Sequence, residues 1–195
     1  ITATAAAQRR RGGFGGGRFF APPANPVYDG AFQFCRIMYR QNPNGDGGGW
    51  AVDYPKSDIN FPYRLSELTM TAVSKDSRGN PNHAFFQLTD DELYKCPFIM
   101  MTEVGALYLD ETEAARLRDY LLKGGFLWAD DFWGEYAWQV WQNEMAKALP
   151  EFQQVDIPLA HPLFHMLYQV TEVPQIPSIN SWFRGGNTSE RGPES

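Results

Sequence analysis

Apolar residues in this chain fall into short runs separated by amphipathic stretches, and from residue 31 onward the two kinds alternate. The runs "AFQFCRIMY", "HAFFQL", "CPFIMMTEV" and "FLWAD" predict strands, with "EFQQVDIP" as a further one. "CPFIMMTEV" is apolar throughout, as a strand is when both faces of a parallel sheet are covered, and "FLWAD" also reads as buried. Between the runs, apolar positions recur at helical spacing. Phe61, Leu65, Leu68 and Ala72 share one face of a helix beginning near Asp58, with Pro62 in its first turn. In "DETEAARLRDYLLKGG", Asp110 and Glu113 form a capping box, Ala114, Leu117 and Leu121 make the stripe, and Gly124 ends the helix. "GEYAWQVWQNEMAKALP" turns Ala137, Trp138, Trp141, Met145 and Leu149 inward, and Thr89 with Glu92 matches a second capping box. Strands alternating with helices imply βαβ units, hence an α/β domain with a mainly parallel sheet and right-handed crossovers.

Composition sharpens this picture. A content of 43% hydrophobic and 15% aromatic residues is enough for a packed core. Of 17 basic and 23 acidic side chains, residues 1–30 hold four arginines and one aspartate, net +3, which leaves the rest at 13 against 22, net −9. An acidic body excludes nucleic acid as the main partner, because phosphate contacts need a basic face. No window approaches the roughly 18 consecutive apolar residues of a membrane-spanning helix. The opening "ITATAAAQ" has the small residues of a signal-peptide cleavage region, with the cut placed after Ala7, and "RRRGGFGGGRFF" reads as a flexible basic linker behind it. The predicted organisation is a signal-peptide remnant and linker over 1–30, one domain over 31–183 and a polar tail over 184–195, in a protein exported to the periplasm or cell envelope. Cys35 and Cys96 both read as buried strand residues, and this reading outweighs a bridge or a metal site.

Candidate chemistry follows from the fold class. Open parallel sheets bind ligands beyond the carboxyl ends of their strands. The eligible residues are Asp53, Asp58 and Asn60 after the first strand, Thr102 and Glu103 after "PFIMM", and Asp130 and Asp131 after "FLW". Carboxylates from several loops suit a hard divalent cation, with Asp130 and Asp131 the metal candidates, or acid–base work by a pair sharing a proton. Against this stands helix capping, which outweighs metal or catalysis for Asp131. Trp133, beside the aspartates, is a candidate wall for a flat ligand such as a sugar. The glycines of "GDGGGW" lack the Lys-Ser/Thr of a phosphate loop and read as a flexible loop. In "HPLFH" the Glu of a zinc-protease motif is missing, so His161 reads as the cap of a turn with Pro162 at its first position. No G-x-S-x-G elbow is present.

The segments "GGGWAVDYPKSDINFPYRLSELT", "LLKGGFLWADDFWG" and "HPLFH" together resemble the bacterial family known as domain of unknown function 4159, over about residues 31–183. The resemblance implies a three-layer α/β/α, flavodoxin-like domain related to class I glutamine amidotransferases, often behind a signal peptide or on larger envelope proteins. It implies no activity. Strand "FLW", the counterpart of the amidotransferase nucleophile strand, ends in Asp130 and Asp131 rather than Cys, and no His-x-Glu pair is in view, so glutaminase chemistry is not expected. Many members have Thr-Gly-His where this chain has Thr102, Glu103 and Val104, and members generally continue with a further strand and helix, so the domain is expected to be incomplete at its C-terminus. The leading expectation is a non-catalytic envelope module binding a small polar ligand or an envelope protein partner, with no assigned cofactor. The alternative is a metal-assisted hydrolase of a carbohydrate-like substrate using the aspartate cluster and a divalent cation.

Overall fold

The computed structural model describes residues 21–173 together with Phe183, and the signal-peptide remnant, most of the basic linker and the polar tail lie outside them. In chain order the elements are β1 (Phe34–Ile37), β2 (Arg40–Gln41), α1 (Lys56–Leu68), β3 (His83–Phe86), β4 (Phe98–Thr102), β5 (Leu107–Tyr108), α2 (Glu111–Leu122), β6 (Phe126–Asp130) and α3 (Gly134–Ala148). Short 3-10 turns occupy Asp91–Lys95, Val104–Ala106 and Pro162–His165. Four strands form a parallel sheet in the order β3-β1-β4-β6, while β2 and β5 pair separately and antiparallel. Renumbered within the sheet, the order is 2-1-3-4, the flavodoxin-like winding, and the crossover direction reverses between β1 and β4.

Alternation along β1 assigns the layers. Phe34 and Arg36 face α1, where Phe34 meets the Phe61 ring at 5.7 Å and Arg36 pairs with Asp58. Cys35 and Ile37 face the other way, into a core shared with Ile99 and Met101 of β4, Ala114, Leu117 and Tyr120 of α2, and Ala148 of α3. Helix α2 carries the predicted capping box: the Asp110 side chain accepts from the Glu113 N–H, and Glu113 accepts in return from the Asp110 N–H. Its third buried position is Tyr120, whose hydroxyl reaches the Cys96 carbonyl at 2.8 Å, rather than Leu121.

Several expectations are corrected. Cys35 and Cys96 form a disulfide, and Cys96 sits ahead of β4 rather than inside a strand. Strand periodicity cannot report a partner 61 residues away. Helix α1 starts at Lys56, places Pro62 in its second turn and ends before Ala72. Its buried residues are Asp58 and Pro62, not the apolar stripe, because the strand beneath it carries a buried arginine. The box at Thr89 does not form; Asp90 stands at the N-cap and its carboxylate accepts from the Gln87 N–H. The stretch "EFQQVDIP" is irregular and exposed.

Strand β6 is the outermost strand of the sheet among the described residues, so it is not buried on both faces. Phe126 is 56% and Trp128 47% exposed, because α1 reaches only as far as Phe98, where Phe61 stacks at 5.2 Å. On α3 Ala137 is buried and Trp141, Met145 and Leu149 pack against the core as predicted, while Trp138 is exposed and the inward face also takes up Glu144 and Ala148. At the opposite edge the side-chain amide of Asn25 donates to the Phe85 carbonyl and accepts from the Phe85 N–H, both at 2.8 Å, so this part of the expected linker docks on β3 and covers its free edge.

Candidate functional site

The reversal between β1 and β4 opens the carboxyl ends of these two strands to a ligand, and the chain gathers unusual chemistry there. Three non-glycine residues have left-handed backbone: Asp53 (φ 61), Glu103 (φ 52) and Asp131 (φ 54). All three are acidic. Asp53 lies in the loop between β2 and α1, Glu103 directly follows β4, and Asp131 directly follows β6. Aspartate tolerates this conformation better than most residues, whereas glutamate seldom adopts it, so Glu103 needs support from its surroundings. That support is visible. The Glu103 N–H donates to the Asp130 carbonyl at 2.9 Å, and the buried Tyr39 hydroxyl is shared between the Thr102 and Glu103 carbonyls, 2.7 Å from each. Burial first, and then the Glu103 charge, push the Tyr39 phenol above its ordinary range, so it remains a donor.

The reversed backbone turns the Glu103 side chain to the glycine loop. Its Oε2 accepts from the Gly48 N–H and, at 3.1 Å, from the Gly49 N–H. At Gly47 (φ +113) a Cβ would stand 2.6 Å from that oxygen, so the close approach requires glycine. Burial is the first cause raising the Glu103 carboxyl to about 7; Asp131, Asp53 and Asp46 add like charge, and the Gly49 N–H opposes them. A raised acid pKa binds protons more tightly in the folded than in the unfolded state. Stability from this group is therefore greatest at low pH and falls as pH rises from the free value of 4.5 to about 7. Glu103→Gln removes that fall, so the variant gains on the wild type by about 1–2 kcal/mol at neutral pH, after allowance for solvent screening. Urea unfolding of both proteins at several pH values checks this, and parallel curves would contradict it.

Beneath the rim lie buried polar atoms without a hydrogen-bond partner among the described residues: Thr102 Oγ1, Asp130 Oδ1 and Trp133 Nε1. Thr102 is 1% exposed and stands opposite Asp130 in the β4–β6 register. Burial raises the Asp130 pKa; the Thr102 hydroxyl eases the carboxylate without closing a full hydrogen bond, and the Asp131 charge adds to the rise. A buried donor or acceptor left unpaired costs about 1–3 kcal/mol, so three at one strand edge mark a place built for polar company.

The predicted residues divide. Asp53, Glu103, Thr102, Asp130, Asp131 and Trp133 all sit at this edge. Asp131 is not the N-cap residue of α3; that position is Trp133, which makes no side-chain cap bond. Asn60 is exposed on α1. Asp58 is fully buried and taken up by Arg36, which bonds both its carboxylate oxygens, the Trp50 and Val52 carbonyls and the Ser57 hydroxyl. Arg36, Tyr39, Asp46 and the glycines were missed. An arginine inside an apolar strand run was the readable signal, since a buried charge demands a partner. No group of three or more His, Cys, Asp or Glu side chains among the described residues is placed to hold a metal ion. His161 caps its turn as predicted, its Nδ1 accepting from the Leu163 N–H at 3.2 Å.

A family model described as a domain of unknown function (DUF4159) matches residues 33–194. The chain belongs to this family. The DUF4159 match spans every residue of the edge just described and brings no activity with it. A search of curated proteins finds no match. Both cysteines of this DUF4159 chain are joined to each other, so neither is a free thiol available as a nucleophile.

Proposed function

We propose that this chain is an exported cell-envelope module that binds a small polar ligand at the carboxyl edge of its sheet and performs no chemistry on it. The observation that carries this reading is the set of three acidic residues in left-handed backbone at that edge, above the unpartnered Thr102 and Asp130 oxygens. Backbone held in sparsely populated conformations concentrates at ligand clamps. The rim offers mainly acceptors, so the ligand is rich in donors: hydroxyls, amines or both. Export is supported by the Cys35–Cys96 disulfide, a bond that persists in oxidising compartments. The superfamily tie to glutamine amidotransferases rests on the flavodoxin-like strand order, and the oxidised cysteines speak against glutaminase activity.

Thermal unfolding against a panel of sugars, polyols, amines and amino acids tests the reading. At a hundredfold excess over the dissociation constant a ligand stabilises by about 2.7 kcal/mol, a shift of several degrees. A donor-rich compound should raise the midpoint, Asp131→Asn should abolish the rise, and Asp119→Asn on the far surface of α2 should leave it intact. No shift with any compound, or a shift indifferent to Asp131, would defeat the proposal.

A further inference from the structure

We propose that Glu103 is a proton-controlled latch: its carboxylate fastens the loop Gly47–Gly49 across the ends of β1 and β4, and protonation lets the loop go. The inference rests on the ligand-binding reading of this edge and adds its regulation.

The loop is pinned on both sides by bonds that do not involve Glu103. On one side the Asn42 and Asp46 N–H groups bond the Ala106 and Gly105 carbonyls at 2.8 and 3.0 Å, and the Tyr136 hydroxyl holds the Asn44 carbonyl at 2.9 Å. On the other, Arg36 holds the Trp50 and Val52 carbonyls at 2.8 and 3.0 Å. Between these anchors lie three consecutive glycines, two with positive φ, the composition that lets a short segment swing. Their tie to the Glu103 turn is one carboxylate oxygen receiving two successive N–H groups, a small anion nest filled by the protein's own side chain.

Charge-assisted bonds are roughly twice as strong as neutral ones, so a proton on Glu103 weakens both at once. The groups around the carboxylate favour that proton. Burial comes first, and Asp131 beyond β6, Asp53 after the loop and Asp46 on it add their repulsion of the ionised form. The nearby hydroxyl of Tyr39 is occupied with backbone carbonyls, and Asp130 meets Glu103 through its own carbonyl. The Gly48 and Gly49 N–H groups meet the carboxylate oxygen directly, so its ionised form retains the loop despite the aspartate the loop carries. The site is therefore covered at alkaline pH and opens on acidification through neutrality. An outside anion would meet the same three aspartates, which reserves the nest for Glu103.

Hydrogen exchange of the backbone amides, read by NMR on the ligand-free chain and corrected for intrinsic rates, tests the latch. Protection at Gly48 and Gly49 should drop about tenfold between pH 8 and pH 6, in line with the loss of charge assistance, while Asn42 and Asp46 keep theirs. Glu103→Gln should flatten the response, and Asp131→Asn should move its midpoint to lower pH. Equal protection at both pH values in the wild type, or the same drop in Glu103→Gln, would overturn the proposal. Because no ligand is present, a responsive loop with no binding compound would fault the ligand reading alone, and a binding compound over an unresponsive loop would fault the latch alone.

Discussion

Removing the bond between Cys35 and Cys96 should lower the unfolding free energy by about 4 kcal/mol, the loop-closure value for a separation of this size. The bridge spans 61 residues and joins the centre of β1 to the segment leading into β4. It therefore limits the unfolded chain across two of the four sheet strands. Cys35→Ala and Cys96→Ala each open the same bond, so the two single variants and the double variant should be nearly equally destabilised rather than additive. Guanidinium titrations of the three variants beside the oxidised wild type give the comparison. A loss below about 1 kcal/mol would mean that the bridge adds little to this core.

The second large effect lies at Arg36. Both partners of the Arg36–Asp58 pair are 0% exposed, and removing either leaves a charge in the interior. Arg36→Met or Asp58→Leu should cost about 3–5 kcal/mol, while the two together should cost less than either alone. The pair is held for geometry: it ties the loop carbonyls of Trp50 and Val52 to the first turn of α1 and so positions Asp53. Chemical denaturation of the singles and the double completes a cycle, and additive losses would show that the two charges are not coupled.

These residues also show what the pattern of the chain could and could not reveal. Strand runs and helical spacing report which face is apolar, and that was enough for the parallel sheet and for α2 with its Asp110–Glu113 box. Pairing across the fold leaves no such trace. The apolar stripe of α1 pointed to Phe61 and Leu65, yet the helix buries Asp58, because the deciding partner sits on another element. Glu103 and Asp131 were legible as strand-end carboxylates, but left-handed backbone is invisible in composition, so the grip of Glu103 on the glycine loop could not be read. The same loop looked merely flexible because the carboxylate that receives the Gly48 and Gly49 N–H groups lies 55 and 54 residues away in sequence.

The most direct measurement is chemical-shift mapping of the ¹⁵N-labelled chain against the donor-rich panel. Perturbations should concentrate at Asp46, the loop glycines, Asp53, Thr102, Glu103 and Asp130 to Trp133. Perturbations gathered instead at the hollow lined by Pro23, Pro26, Asn80 and His83, or none with any compound, would contradict a ligand site at the carboxyl edge.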